Sequence, residues 1–186
     1  MHFTLADLIT DITQNGAEAG AALVQLQVSE TADTSGGGQF RFTVTDNGKG
    51  MTAEQLKRAQ DPFVTDGIKH PRRKVGLGLP FLIQTAEQSG GGWNIESVAS
   101  AGTTVSAWFD LGNVDTPPAG DVPGMFRTVL LFGGPSEMII RRQRNAPEGN
   151  IDYEVRKSEL IDALGFLEDA QSLILLDKYL RSLEED

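Results

Sequence analysis

Apolar residues near the start of the chain recur three or four positions apart. They are Leu5, Leu8, Ile9 and Ile12. This spacing predicts a single apolar stripe on a helix that runs from Thr4 to Ala19. Thr4 is expected to cap that helix, because Asp7 stands three residues later in a weak variant of the capping box.

Alternation of apolar and polar residues predicts four strands in the first two thirds of the chain. Residues 24–28 and 39–45 should form a β-hairpin, joined by a polar, glycine-rich loop at residues 31–38. Residues 93–97 and 103–111 should form a second pair of strands. The order of elements is therefore a helix, a hairpin and, further on, another strand pair.

Two helices are predicted between these strand pairs. Thr52 and Gln55 form a second capping signal, which predicts a short helix that ends near Ala59. A longer helix is expected around Pro80, since proline suits the first turn of a helix.

The last third of the chain begins with a stretch that contains three prolines. Residues 113–124 are therefore predicted to form a linker. Strand-like runs follow at residues 127–132, 137–142 and 151–156, and a short helix is expected from Ser158.

A final amphipathic helix carries four leucines at steps of three and four residues. They are Leu173, Leu176, Leu180 and Leu183. This stripe can pack within the chain or in a homodimer, and we favour packing within the chain.

Composition narrows the class of protein. The 186 residues carry a net charge of −10, which argues against a nucleic-acid-binding surface. The absence of cysteine excludes disulfides, a thiol nucleophile and Cys-based metal sites, and only His2 and His70 could offer imidazole ligands. The sequence has no apolar run long enough to span a membrane and no secretory signal at its start, so we expect a cytoplasmic protein.

The run Asp46-Asn47-Gly48-Lys49-Gly50-Met51 follows the second predicted strand and is the strongest candidate for chemistry. A carboxylate at a strand end can accept a hydrogen bond from an exocyclic amine of a buried base. Gly48 and Gly50 would let the backbone approach that ligand closely. Asp-Asn-Gly is also an ordinary turn sequence, and this alternative stays open for the run taken alone.

The polar side of the first helix offers a second candidate. Asp11 and Asn15 lie one turn apart, so their side chains share one face. This can be a solvated face, or Asn15 can bind a metal ion with Asp11 near a reacting phosphate.

A polar loop at residues 61–74 is a candidate lid, and it ends in a basic cluster at residues 69–74. The cluster is either solvated surface or faces phosphates or an acidic partner. Gly76 and Gly78 follow, where backbone N–H groups at a helix start form an anion site. The chain contains no P-loop sequence, and Phe81 replaces the third glycine of a dinucleotide fingerprint.

Taken in order, five segments resemble the boxes of the ATP-binding domain shared by gyrase, the ninety-kilodalton heat-shock chaperone, histidine kinases and mismatch-repair ATPases. Residues 11–21 resemble its N box, residues 46–51 its G1 box and residues 61–65 its F box. Residues 76–79 resemble its G2 box, and residues 102–104 resemble the short motif that closes the domain.

This resemblance implies an α/β sandwich, in which a mixed, mostly antiparallel sheet is covered on one face by helices. Together with the proline-rich stretch, it implies three parts. They are an ATP-binding domain at residues 1–112, a linker at 113–124 and a small α+β extension at 125–186.

The resemblance also implies roles for individual residues. Asp46 would bind the adenine amine, and Thr103 would assist it through a water molecule. Asn15 would hold Mg²⁺ against the triphosphate, while Gly76 and Gly78 would donate backbone N–H groups to phosphates. The other expected nucleotide contacts are Gly48, Gly50 and Lys74.

The chain departs from the family pattern at its expected catalytic residue. Many relatives have glutamate where Asp11 stands, as a general base or water-orienting group, and aspartate is one methylene shorter. Phosphorylation of an internal histidine is not expected, since His2 precedes the domain and His70 lies in the polar loop. Neither the dimerisation helices of sensor kinases nor a downstream transducer domain is expected.

The whole chain looks most like small stand-alone histidine-kinase-like ATP-binding proteins of anaerobic bacteria, whose genes often lie beside iron-only hydrogenase subunits. Residues 61–63, 74–80 and 117–121 carry this likeness, together with Tyr153 and Glu154.

Two functions follow from these resemblances. The first is a Mg²⁺-dependent protein kinase or ATPase with a regulatory role, in which Asp11 is catalytic. The second is an ATP-sensing module, in which nucleotide orders the loop at residues 61–74 and the C-terminal extension reports this to a partner protein. Both predict ATP and Mg²⁺ as ligands and no contact with nucleic acid or membrane, and a homodimer stays an open alternative.

Overall fold

The computed structural model describes residues 4–61 and 78–185. The helices and strands are listed here in chain order: α1 (Leu5–Glu18), β1 (Leu23–Ala32), β2 (Gly38–Asp46), α2 (Ala53–Gln60), α3 (Gly78–Gln88), β3 (Gly92–Val98), β4 (Gly102–Asp110), α4 (Val122–Leu130), β5 (Glu137–Ala146), β6 (Gly149–Arg156), α5 (Lys157–Leu164) and α6 (Ala170–Ser182).

The six strands form one mixed sheet in the order β3-β4-β2-β1-β5-β6. Strands β1 and β5 are parallel, and the other neighbouring pairs are antiparallel. The predicted fold class, a mixed and mostly antiparallel sheet packed with helices, is confirmed.

One apolar row crosses the whole sheet in register and explains why the helices cover this face. Its members, all buried, are Val155, Ile140, Leu26, Val44, Val105 and Ile95. Each such side chain contributes about 1.5–3 kcal/mol when it leaves water. The neighbouring row on the opposite face is polar, and there Thr43 and Ser106 share a hydrogen bond of 2.9 Å between their hydroxyl oxygens. The period of two in the sequence therefore separates a helix-covered face from a solvated one.

Both predicted capping boxes are present. The Thr4 hydroxyl oxygen accepts a hydrogen bond from the Asp7 N–H at 3.1 Å, and the Asp7 carboxylate accepts from the Thr4 N–H at 2.9 Å. Thr52 and Gln55 make the same reciprocal pair at the start of α2. These bonds satisfy N–H groups that have no partner within a helix.

The strand predicted at residues 127–132 is wrong, because residues 127–130 belong to helix α4 and Leu131 is its C-cap. The run of branched and large apolar residues there suggested a strand. The helical period of the segment is nevertheless visible when it is followed from Val122. Asp121, the N-cap, accepts a hydrogen bond from the Gly124 N–H at 3.1 Å, and the helix begins at the next residue. The buried positions then fall at helical spacing. They are Val122, Met125, Phe126, Val129 and Leu130.

The proline-rich stretch ends at Asp121, so Pro123 lies inside α4 and not in a linker. The stretch also contacts the first helix. The carbonyl oxygens of Pro118 and Ala119 accept hydrogen bonds from the N–H groups of Leu5 and Ala6, each at 2.9 Å. Residues 118–119 therefore complete the N-terminus of α1.

The C-terminal third joins the same sheet and the same core. Strand β5 lies beside β1, while α4 packs on α1 and α6 packs on α4. Leu176 and Leu180 of α6 are fully buried within the chain, which confirms the favoured interpretation of the leucine stripe. Arg181 near the end of α6 pairs with the Asp121 carboxylate at 3.0 Å.

A buried arginine fixes the last residues to the sheet. The Arg142 guanidinium lies 2.7 Å from a Glu30 carboxylate oxygen and 3.2 Å from one of Glu184. The Tyr153 hydroxyl donates to Glu184 at 2.7 Å. Burial and this neighbouring carboxylate raise the pKa of Tyr153, so its hydroxyl stays protonated.

Candidate functional site

A cavity of about 800 Å³ lies between α1 and the helix-covered face of the sheet. Its walls come from the polar side of α1, the end of β2 with the loop that follows, the start of β4 and the first described residues of α3. The residues of this cavity that bear on its chemistry are Asp11, Asn15, Glu18, Asp46, Lys49, Gly50, Gly78 and Thr103.

Asp46 is the buried acidic group of this cavity, with 7% of its surface exposed. One of its carboxylate oxygens accepts a hydrogen bond from the Gly48 N–H at 2.8 Å. Burial raises the pKa of Asp46, while backbone hydrogen bonds from Gly48 and Thr103 act in the opposite direction. A carboxylate held in this way can accept one further hydrogen bond from a ligand in the cavity.

Close backbone packing around Asp46 explains two of the glycines. A Cβ on Gly16 would lie 3.2 Å from the Asp46 Cβ, where helix α1 passes directly over the carboxylate. A Cβ on Gly48 would lie 2.7 Å from the Ala19 carbonyl oxygen and 2.9 Å from Asp46 Oδ1. These two positions admit no side chain without a shift of α1 or of Asp46.

Gly50 is required for a different reason. Its φ of +59° lies in the left-handed region, and a Cβ there would overlap the Val98 carbonyl oxygen. The loop after β2 is therefore pressed against the end of β3, and a hydrogen bond of 2.7 Å from the Ser100 N–H to the Lys49 carbonyl oxygen joins the two segments.

Asn47 anchors the other side of this loop, a role that sequence reasoning missed. Its side-chain oxygen accepts a hydrogen bond from the Leu23 N–H at 2.9 Å, and its own N–H donates to the Leu23 carbonyl oxygen at 3.2 Å. The Lys49 N–H also donates to the Ala19 carbonyl oxygen at 3.0 Å. Leu23 precedes Asn47 by 24 residues, so no local pattern in the sequence predicted this contact.

Asp11 and Asn15 both reach the cavity from the solvent side of α1, one helical turn apart. The position of a Cβ on Gly78 would lie 3.5 Å from the Asn15 Nδ2 atom, so the start of the described part of α3 approaches Asn15. Thr103 is the cross-strand partner of Asp46.

The structure thus brings most of the predicted site residues to one cavity. Asp11, Asn15, Asp46, Gly50, Gly78 and Thr103 line it. Gly48 donates to the Asp46 carboxylate. Lys74, Gly76 and all of the loop predicted as a lid except Asp61 lie outside the described residues. The roles expected for these residues stay predictions.

The side chains of the cavity can be compared with the ligands that Mg²⁺ requires. Within residues 4–61 and 78–185, no group of three or more His, Asp or Glu side chains could hold a metal ion. Mg²⁺ prefers oxygen ligands and usually takes only one or two from the protein when substrate phosphates supply others. An amide oxygen of Asn15, with Asp11 one turn away, fits that mode of binding.

The charged side chains that line the cavity are mostly acidic, which favours a bound cation. Three carboxylates, those of Asp11, Glu18 and Asp46, face the cavity together with one ammonium group, that of Lys49. A triphosphate would add further negative charge, which a bound divalent cation would offset.

The family model described as "Histidine kinase-, DNA gyrase B-, and HSP90-like ATPase" matches residues 2–113. Since this match covers more than half of the chain, the chain belongs to that family of ATPase domains. The family resemblance predicted from the five boxes is therefore confirmed.

Three curated proteins illustrate the similarity. Sensor histidine kinase ZraS of Escherichia coli (strain K12) is 33% identical over 93 residues, which are 50% of this chain and 19% of that protein. Histidine protein kinase DivJ of Caulobacter vibrioides is 40% identical over 70 residues, 37% of this chain and 12% of that protein. DNA mismatch repair protein MutL of Thermus aquaticus is 30% identical over 76 residues, which are 41% of this chain and 13% of that protein.

The chain therefore spans about a fifth or less of the length of these relatives. Within the part of the chain that the structure describes, no helix has the length and apolar character needed to cross a membrane.

Proposed function

We propose that this protein binds ATP with Mg²⁺ in the cavity and transfers the γ-phosphate to a partner protein or to water, in a regulatory role. The observation that carries the proposal is the buried Asp46 carboxylate in a cavity that Asp11 and Asn15 also line. Membership of an ATPase family supports ATP as the ligand.

Each residue has a chemical task in this proposal. Asp46 accepts a hydrogen bond from the adenine amine, and Asn15 provides an oxygen ligand to the cation. Bound Mg²⁺ would neutralise charge on the phosphates during transfer. Asp11, one turn from Asn15, would orient the hydroxyl group or water that attacks the γ-phosphate.

A second candidate is an ATP-sensing module that binds nucleotide without transferring phosphate. The shorter side chain of Asp11 motivates it, and so does one connection in the fold. The Ala22 carbonyl oxygen accepts from the Glu137 N–H at 3.0 Å, while the adjacent Leu23 is bonded to Asn47 of the cavity loop. These bonds link the loop after β2 to Glu137, the first residue of β5.

The test separates binding from chemistry with γ-labelled ATP. Phosphate release and protein labelling are measured on the native chain and on Asp11→Asn, alone and with candidate partners. General acid–base catalysis contributes about 10²- to 10⁴-fold, so the variant should lose at least about 100-fold in rate at an unchanged ATP affinity. Asp162→Asn makes the same charge change at an exposed position of α5 and should leave the rate unchanged.

Tight ATP binding with no phosphate release and no label on any protein would remove the kinase and ATPase proposal and leave the sensing module. The proposal also includes cytoplasmic residence, a protein partner and a likeness to proteins encoded beside iron-only hydrogenases. It further includes the division of the chain into a nucleotide-binding domain and a C-terminal extension.

A further inference from the structure

Ser97 is not among the residues that line the cavity, but its hydroxyl group is hydrogen-bonded to two residues that are. Ser97 on β3 is the cross-strand partner of Thr103 on β4, and their hydroxyl oxygens are 2.8 Å apart. The same Ser97 oxygen accepts a hydrogen bond from the Met51 N–H at 2.8 Å and lies 3.2 Å from the Gly102 carbonyl oxygen. Met51 and Thr103 both line the cavity.

Counting protons gives the direction of these hydrogen bonds. The Gly102 carbonyl can only accept and the Met51 N–H can only donate, whereas each hydroxyl has one proton. When Ser97 donates to Gly102, its lone pairs accept from Met51 and from Thr103, and every group has a partner. When Ser97 donates to Thr103 instead, the Gly102 oxygen loses this donor. The first arrangement satisfies more polar groups and is therefore favoured.

This arrangement determines what Thr103 offers to a ligand. Its only hydroxyl proton is directed to Ser97, so the Thr103 oxygen can offer a ligand only its lone pairs. Thr103 is also the cross-strand partner of Asp46, and the Asp46 carboxylate likewise accepts only. The two neighbouring strand ends thus present two acceptors and no side-chain donor.

We infer that Ser97 is a positioning residue that sets the base specificity of the cavity, because it holds Thr103 as a hydrogen-bond acceptor. The ligand class selected is a 6-aminopurine nucleotide, whose amino group carries two protons for two acceptors. A 6-oxopurine would place a carbonyl oxygen against lone pairs and should bind more weakly. This inference rests on the proposed binding of ATP in the cavity.

The test compares ATP with inosine triphosphate, which has an oxygen in place of the 6-amino group. Calorimetric titrations with Mg²⁺ on the full chain give the ratio of the two dissociation constants for the native protein and for Ser97→Ala. The native chain should prefer ATP. In the variant Thr103 can rotate and donate, so the preference should fall about tenfold, the effect of about one hydrogen bond.

Three further variants separate positioning from support of the fold. Ser97→Thr keeps a hydroxyl and should keep the native ratio. Ser97→Cys fills similar space but accepts a hydrogen bond weakly, so it should also lose preference, even if the alanine variant does not fold. Ser106→Ala removes a hydroxyl that pairs with Thr43 on the opposite face, and it should leave the ratio unchanged.

Equal weakening of both nucleotides in Ser97→Ala and Ser97→Cys, with the native ratio retained, would overturn the inference and leave the proposed function standing. A native chain that binds neither nucleotide would instead overturn the proposed function.

Discussion

Replacing Asp46 with asparagine should weaken nucleotide binding without lowering the stability of the ligand-free chain. The buried carboxylate supports binding through its hydrogen bond to the ligand, but its ionisation costs stability when no ligand is bound. The side chain is 7% exposed, and one oxygen already accepts from the Gly48 N–H at 2.8 Å. Asparagine can keep that bond with its single oxygen, which leaves its amide NH₂ to face the adenine amine. A charge-assisted hydrogen bond is then replaced by two opposed donors.

The loss can be estimated from these contacts. A hydrogen bond to a charged group contributes about 1.5–3 kcal/mol, and a buried unpaired donor costs about 1–3 kcal/mol. A net loss of about 3 kcal/mol corresponds to a roughly 150-fold weaker binding of ATP. Calorimetric titration of ATP into the native and Asp46→Asn chains measures this difference directly.

The stability of the ligand-free chain should not fall in the same variant. Burial raises the pKa of Asp46 in the folded state, so the folded chain binds this proton more tightly than the unfolded chain does. Ionisation therefore costs stability as the pH rises from the unfolded pKa through the folded pKa. At pH 7 the native chain bears that cost and the asparagine variant does not.

Urea unfolding at pH 7 should thus give Asp46→Asn a free energy of unfolding equal to or above that of the native chain. The difference should shrink at about pH 3, where the carboxyl group is largely protonated. Full ATP affinity in the variant, or a large loss of stability at pH 7, would refute the reasoning.

Three other variants, two of them with a matched control variant, test the packing and charge of the fold by urea unfolding. Gly48→Ala should lower the free energy of unfolding by about 1–3 kcal/mol, because its Cβ would lie 2.7 Å from the Ala19 carbonyl oxygen. The control variant Gly133→Ala has open space around its Cβ and should be neutral or slightly stabilising. Asp121→Asn keeps its helix cap but loses the exposed arginine pair that lowers its pKa, so it should cost about 0.2–1 kcal/mol at pH 7. That cost should disappear as the pH falls through the lowered folded pKa, since the pair stabilises only above it. Arg142→Ala removes a fully buried guanidinium that pairs with the half-buried carboxylates of Glu30 and Glu184, and it should cost about 3–5 kcal/mol, whereas Arg141→Ala on the solvated face should cost less than about 1 kcal/mol. Equal effects within either matched pair would contradict the structure.

Local patterns in the sequence were sufficient for much of the fold. The period of 3.6 residues and the capping box at Thr4 predicted α1, and the period of two predicted the first four strands. The order of the Asp46 run and the helix face with Asp11 and Asn15 predicted residues that meet in one cavity. Signals of this kind survive because each depends on neighbours within a few positions of the chain.

The remaining features depend on long-range contacts that leave no local signal. The parallel pairing of β5 with β1 joins segments more than a hundred residues apart. The burial of Arg142 between two glutamates, and the link from Ser97 to Thr103, are likewise set by tertiary packing.

The most direct test of the account is calorimetric titration of the native chain with ATP and with GTP, each in the presence of Mg²⁺. A base whose 6-amino group donates to Asp46 should bind, whereas guanine presents a carbonyl oxygen to the same carboxylate. One ATP should bind per chain, and GTP should bind at least about tenfold more weakly. Equal binding of the two nucleotides, or binding of neither, would contradict the account.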